Sequence, residues 1–300
     1  MDTVIDIDRL TKTYGTRRGL DGLTLRVGAG EVFGYLGPNG AGKSTTIRLL
    51  LDLIRPTSGT ARVLGLDPRA DAVELHRRTG YLAGDFVVDG RQKAGECLTF
   101  LGNLRGGVPA ARITGLADRL GLDLGARVKS LSKGNRQKVG LIQAFMHDPE
   151  LLILDEPTSG LDPLVQQTFL EMVAEARADG RTVFMSSHVM SEVEAVADRV
   201  AIIREGRLVA LDTVADLRAR SYLRVRITFA DPVPAEEFAL PGVTGLQVDG
   251  TVLTCDVDGS PDALVKAAAR HTVVGLRADS QDLEELFHTY YTRGEAAPAA

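Results

Sequence analysis

The stretch that most constrains this chain is Gly37-Pro38-Asn39-Gly40-Ala41-Gly42-Lys43-Ser44-Thr45. It fits G-x-x-x-x-G-K-[ST], and each fixed position has a physical reason. A loop that wraps a polyphosphate turns several backbone N–H groups inward. That requires glycine where the turn is strained and where a Cβ would fill the cradle. The helix that follows presents its N-terminal dipole to the same anion. Lys43 is suited to the β- and γ-phosphates, and the Ser44 hydroxyl to Mg²⁺. The flanks supply the context this chemistry needs. Glu31-Val32-Phe33-Gly34-Tyr35-Leu36 reads as a strand running into the loop. Beyond it, Ile47, Leu50, Leu51 and Ile54 recur at helical spacing over 43–53, before Pro56. Strand, phosphate loop and helix in that order point to an α/β fold.

A second feature carries chemistry. Leu151-Leu152-Ile153-Leu154 is a continuous apolar run that ends in Asp155-Glu156. Such a run reads as a buried parallel strand, which sets both acids at the carboxyl edge of the sheet, beside the phosphate loop. Asp155 suits a Mg²⁺ ion held through water, and Glu156 suits a general base acting on the attacking water. A helix over 163–178, a strand over 182–185, a helix over 191–197 and a strand over 200–203 continue the alternation of a mainly parallel sheet.

The rest of the chain divides around this core. Residues 4–32 alternate apolar and polar, with breaks at Tyr14-Gly15 and Gly28-Ala29-Gly30, and predict an N-terminal antiparallel β subdomain of short strands. Residues 70–145 read as mostly helical, with a helical subdomain at about 83–145. The pattern changes near Ser221. Strands over 222–229, 246–248, 252–257 and 273–276, a helix over 261–270 and an acidic amphipathic helix over 281–291 predict a small C-terminal α+β appendage. The expected boundaries are 1–220 for the nucleotide-binding part, 221–293 for the appendage and 294–300 for a disordered tail.

Composition excludes several classes. A net charge of −5 argues against a nucleic-acid partner. The two cysteines, Cys97 and Cys255, have no metal-binding spacing and argue for a reducing compartment. The acids of Met1-Asp2-Thr3-Val4-Ile5-Asp6 do not suit a signal peptide. No run approaches the roughly 18 apolar residues of a membrane span. Any work at a membrane therefore needs spans from another chain.

Four further segments carry a family resemblance. Leu131-Ser132-Lys133-Gly134-Asn135-Arg136-Gln137 resembles the signature loop L-S-G-G-Q of ABC ATPases. Pro157-Thr158-Ser159-Gly160-Leu161-Asp162 is similar to that family's D-loop, and Ser186-Ser187-His188 to the strand end that bears its switch histidine. Tyr14 matches the aromatic residue that stacks on adenine. With the phosphate loop and the two carboxylates, these stand in the family's order from residue 4 to about 215. The resemblance implies a P-loop NTPase core with a helical signature subdomain, and ATP and Mg²⁺ as cofactors. It implies catalytic roles for Glu156 and His188, metal contacts from Ser44 and Asp155, and nucleotide contacts from Tyr14 and the whole loop 37–45. Ser132, Gly134, Asn135 and Asp162 complete the nucleotide site from a second ATP-binding subunit, most simply another copy of this chain.

The resemblance extends to working context. A single ATPase domain with an appendage ending Asp282-Leu283-Glu284-Glu285-Leu286-Phe287-His288-Thr289-Tyr290-Tyr291 looks like drug and antibiotic exporter ATPases. Those pair with a separate transmembrane permease at the cytoplasmic face of the cell membrane. An importer ATPase is the alternative, and a soluble, non-transport ABC ATPase a more distant one. The chain also departs from the family pattern. After Thr79-Gly80-Tyr81-Leu82 it reads Ala83-Gly84-Asp85, so Gly84 stands where the family has a Gln; Asp85 is the polar residue beside it. Lys133 and Asn135 replace Gly and Gln in the signature loop.

Overall fold

The computed structural model describes residues 2–87, 91–219 and 223–280. The chain separates into a larger unit running to Asp212 and a smaller one from Thr213. The larger unit begins with β1 (Thr3–Tyr14), β2 (Arg17–Gly28), β3 (Val32–Leu36), α1 (Lys43–Leu50) and β4 (Ser58–Val63). It continues through α2 (Ala72–Arg78), β5 (Thr79–Leu82), α3 (Ala94–Leu104), α4 (Ala110–Leu120) and α5 (Lys133–Phe145). It closes with β6 (Leu151–Asp155), α6 (Pro163–Ala178), β7 (Thr182–Ser187), α7 (Met190–Glu194), β8 (Arg199–Arg204) and β9 (Arg207–Thr213).

The central sheet has the order β5-β6-β7-β3-β8-β9. The first five of these strands pair in parallel. Every residue of β3, β6 and β7 is buried. Both faces of a parallel sheet are covered, which is why these strands are continuous apolar runs rather than alternating ones.

A second sheet, β2-β1-β4, is antiparallel. Its inward side chains Ile5, Ile7, Leu10 and Leu25 share one core with Phe33, Tyr35, Ile47, Ile153 and Phe184 of the central sheet and α1. Phe33 and Phe184 stack at 5.8 Å between centroids. Burial of side chains this size contributes about 1.5–3 kcal/mol each. One polar link runs through the core: the Tyr35 hydroxyl lies 2.9 Å from Thr46 Oγ1. It ties β3 to the first turn of α1, on both flanks of the phosphate loop. Burial pushes the Tyr35 phenol well above its ordinary pKa.

Several elements differ from the sequence reading. β1 and β2 are single strands of 12 residues each rather than several short ones, because a register shift between Ile7 and Leu10 lets pairing resume after the alternation breaks. α1 stops at Leu50, and Asp52 turns the chain at φ 56°. β4 is unexpected. Its sequence, Ser-Gly-Thr-Ala-Arg-Val, is poor in strand formers, and it is held by backbone pairing to β1. β9 is also unexpected. It follows β8 through Glu205-Gly206, both at positive φ, as a two-residue hairpin turn requires.

The smaller unit comprises α8 (Val214–Ala219), β10 (Leu223–Phe229), β11 (Val243–Asp249), β12 (Val252–Val257), α9 (Asp262–Ala268) and β13 (Val273–Ser280). Its antiparallel sheet has the order β11-β12-β10-β13, over a core that includes Val225, Ile227, Phe229, Phe238, Leu253 and Leu264. The acidic helix expected over 281–291, the tail 294–300 and the boundary expected at 220–221 lie outside the described residues. Among the described residues no helix is long and apolar enough to cross a membrane.

Candidate functional site

Three neighbouring strands of the parallel sheet deliver loops to one edge. β3 leads into the loop 37–45, β6 ends at Asp155 ahead of Glu156, and β7 ends at Ser187 ahead of His188. Ligand sites of open α/β sheets form at this carboxyl edge.

Lys43 is buried at the centre. Its Nζ donates to Gly37 O at 2.5 Å and Pro38 O at 3.4 Å, and lies 3.1 Å from Glu156 Oε1. The other Glu156 oxygen, Oε2, accepts from His188 Nδ1 at 2.5 Å. Above them lies a cleft of about 410 Å³, lined by Tyr14, Arg17, Arg18, Gly19, Pro38, Asn39, Gly40, Gly42, Lys43, Ser44, Thr45, Arg48 and Glu156. Tyr14 is 46% exposed at its rim, with Lys12 Nζ 5.2 Å from the ring centroid.

The loop glycines have different duties. Gly42 sits at φ 113°, and a Cβ there would lie 2.7 Å from Gly19 O. Gly37 does not line the cleft; a Cβ there would lie 2.5 Å from Ile203 O, so this glycine lets the loop pass close to β8. Ala41 is buried in the core. The loop thus divides between positions that line the cleft and positions that pack against the core.

Asp155 is buried, and its Oδ1 accepts from Ser186 Oγ at 2.6 Å. Burial, and secondarily the negative charge of Asp155, push the Tyr81 phenol to a pKa of about 12. Glu156 has a positive φ of 50°, uncommon for a non-glycine residue. Its carbonyl accepts from Gln137 Nε2 at 3.2 Å, as does Pro157 O at 3.1 Å. Helix α5 is thereby fastened to the turn that bears the two carboxylates.

The donor set fits Mg²⁺. Ser44 lines the cleft, and its hydroxyl has no hydrogen-bond partner among the described residues. Asp155 has one oxygen engaged by Ser186. No group of three His, Cys, Asp or Glu side chains forms a metal cage among the described residues. A hydroxyl and a carboxylate alone match an ion that keeps several waters and takes its remaining oxygens from phosphates.

The signature segment lies elsewhere. Ser132, Gly134, Asn135 and Asp162 do not line the cleft. Ser132 caps α5, accepting from Asn135 N at 3.2 Å, and Asp162 caps α6, accepting from Val165 N at 3.1 Å. Lys133 Nζ donates to Ser159 Oγ at 3.1 Å, and a Cβ on Gly134 would lie 2.5 Å from Gly160 O. Gly84 abuts Asp155: a Cβ there would lie 3.3 Å from Oδ2. Asp85 lines a neighbouring groove of about 600 Å³ with Phe86, Lys133, Arg136 and Gln137, rather than the cleft.

Arg17, Arg18, Arg48 and Ser186 were not singled out from sequence. The basic pair directly after the Tyr14-Gly15 turn was the available signal for two of them; Arg48 and Ser186 are recognisable only once the strands and α1 are placed.

The comparisons agree with this geometry. The family described as ABC transporter matches residues 20–159. The bacitracin transport ATP-binding protein of Enterococcus faecalis is 32% identical over 299 residues, covering 98% of this chain and 96% of that protein. The daunorubicin/doxorubicin resistance ATP-binding protein of Streptomyces peucetius is 35% identical over 299 residues, covering 94% and 91%. A solved ATP-binding subunit of an ABC transporter superposes with a TM-score of 0.66 at 30% identity, covering 72% of this chain and 92% of that one. A dimeric ATP-binding cassette in a post-hydrolysis state with ADP and phosphate superposes at 0.63 and 21% identity, covering 70% and 98%, which speaks for the fold.

Proposed function

Because this chain belongs to the ABC transporter family as an ATP-binding, ATP-hydrolysing subunit, we propose that it powers the export of a drug, antibiotic or other small amphipathic molecule. The observation that carries the export reading is the near end-to-end match to the bacitracin and daunorubicin/doxorubicin proteins, which continues past residue 213 into the smaller unit. The substrate path belongs to a separate transmembrane permease, against whose cytoplasmic face this subunit docks. Residues 1–220 act as the ATPase domain and 221–293 as an accessory domain.

The chemistry follows from the site. Tyr14 stacks on adenine, and the inward N–H groups of the loop 37–45 with the N-terminus of α1 hold the phosphates. Lys43 leaves the Gly37 and Pro38 carbonyls and Glu156 for the β- and γ-phosphates. Ser44 and Asp155 would hold Mg²⁺, which when bound offsets phosphate charge. Glu156, released from Lys43, accepts the proton of the attacking water, and the His188 Nδ1 contact orients its carboxylate. Ser132, Gly134 and Asn135 lie off the cleft of their own chain, so closure falls to a second copy whose α5 N-terminus meets the γ-phosphate. Asp162 lies at the same dimer face. ATP then favours the dimer, and hydrolysis releases it.

The test is reconstitution with a multi-span permease in inside-out vesicles. ATP should drive uptake of a fluorescent amphipathic cation, and Glu156→Gln should stop it. Stimulated ATP turnover without transport of any such compound would overturn the export reading.

A further inference from the structure

Ser186 is wholly buried at the end of β7, opposite Asp155 in the parallel register. Three contacts converge on it. Its Oγ donates to Asp155 Oδ1 at 2.6 Å. The Glu156 N–H donates to that same Oγ at 3.1 Å, and to Ser186 O at 3.2 Å. A hydroxyl has one proton. Because the Glu156 N–H can only donate, the Ser186 proton is committed to the carboxylate. The result is a directed chain, Glu156 N–H to Ser186 O–H to Asp155.

Each end of that chain needs support. Asp155 is buried, and among the described residues only this hydroxyl donates to its Oδ1; its Oδ2 lies toward Gly84, which has no side chain to steer it. Glu156 is held at a positive φ, a backbone state that persists only where the surroundings enforce it. The Glu156 carboxylate meets Lys43 and His188.

We propose that Ser186 is a positioning residue that locks the metal-side carboxylate Asp155 and the catalytic carboxylate Glu156 into one unit, so that Mg²⁺ affinity and water activation are set together. It is wholly buried and does not line the cleft. It fixes which oxygen of Asp155 remains for the ion and where the next residue points. In this chain Ser186 supplies restraint from β7 on the side opposite the bare Gly84.

The proposal rests on the roles given to Asp155 and Glu156 above. Ser186→Thr keeps the hydroxyl, and Ser186→Val is nearly isosteric with the threonine variant but lacks it. Both add the same bulk, so their difference isolates the hydrogen bonds. ATP binding by the intact chain is measured with EDTA and across a Mg²⁺ titration, using a fluorescent ATP analogue, beside steady-state turnover. The valine variant should bind the analogue in EDTA as the threonine variant does. It should need about tenfold more Mg²⁺ to reach tight binding, the scale of a lost hydrogen bond to a buried charge, with kcat lower and KM for ATP little changed. Equal Mg²⁺ midpoints and equal kcat for the two variants would overturn it, as would a loss confined to melting temperature. Failure of the underlying assignment reads differently, as a Glu156→Gln chain that turns over normally.

Discussion

Lys43 Nζ and Glu156 Oε1 are 3.1 Å apart in a partly buried ion pair, 6% and 19% exposed. The lysine suited to phosphate is thus neutralised by the carboxylate suited to water. On the roles proposed above, ATP would compete with Glu156 for Lys43, and the same exchange would free Glu156 to act on water.

Glu156→Gln should therefore do two things. Turnover should fall by at least about 10²-fold, the contribution of a general base, while ATP binds more tightly because the amide competes less well for Lys43. The dimer should accumulate with ATP. Phosphate release, equilibrium binding and size exclusion with ATP check the three parts. Normal turnover would remove Glu156 from the catalytic role.

Gly84→Gln, which restores the family's residue, should lower activity. Its Cβ would press on Asp155 Oδ2 at 3.3 Å, displacing a carboxylate already anchored by Ser186. Gly84→Ala should show a smaller loss of the same kind. Turnover against Mg²⁺ concentration is the measurement; a glutamine variant faster than wild type would contradict it.

Tyr14→Ala should weaken ATP binding by about tenfold, within the 1–3 kcal/mol range for a base stacked on an aromatic ring. Tyr14→Phe should bind as wild type, since Lys12 meets the ring rather than the hydroxyl and stacking would need only the ring. Equal losses in both variants would argue against stacking.

His147 offers a pH test of stability away from the site. Burial first, and Arg105 second, lower its pKa from 6.5 to about 4; Arg105 NH1 donates to Nε2 at 2.8 Å. The folded state therefore keeps this ring neutral below the pH at which the unfolded chain protonates. The unfolded state binds more protons between pH 6.5 and about 4, so stability is full above 6.5 and falls as pH drops through that window. His147→Gln should flatten that slope in a melting-temperature series. An unchanged slope would show that His147 is not its source.

The buried strands and the loop between β3 and α1 were legible because their signals are strong and local. Leu151–Leu154 is apolar throughout because the strand is buried on both faces. The strands β4 and β9 were not read from sequence: β4 is poor in strand formers and is held by backbone pairing to β1, and β9 depends on the hairpin turn at Glu205-Gly206. At the site, Lys43, Ser44, Asp155 and Glu156 were readable from the loop motif and the apolar run, and His188 only through the family resemblance; the structure brings all five to one edge. Ser186 was not. A serine in a strand carries no signal until the neighbouring strand's register sets it opposite an acid. Gly37 was read as phosphate-binding, and only the position of Ile203 shows its packing duty.

Gly134 carries a consequence for genetics. With Gly160 O only 2.5 Å from where its Cβ would be, and Lys133 reaching Ser159 beside it, the signature segment and the D-loop form a single rigid contact. An allele at Gly134 therefore strikes both the start of α5 and the loop ahead of α6. A suppressor of such an allele should arise at Ser159 or Gly160 of the same polypeptide.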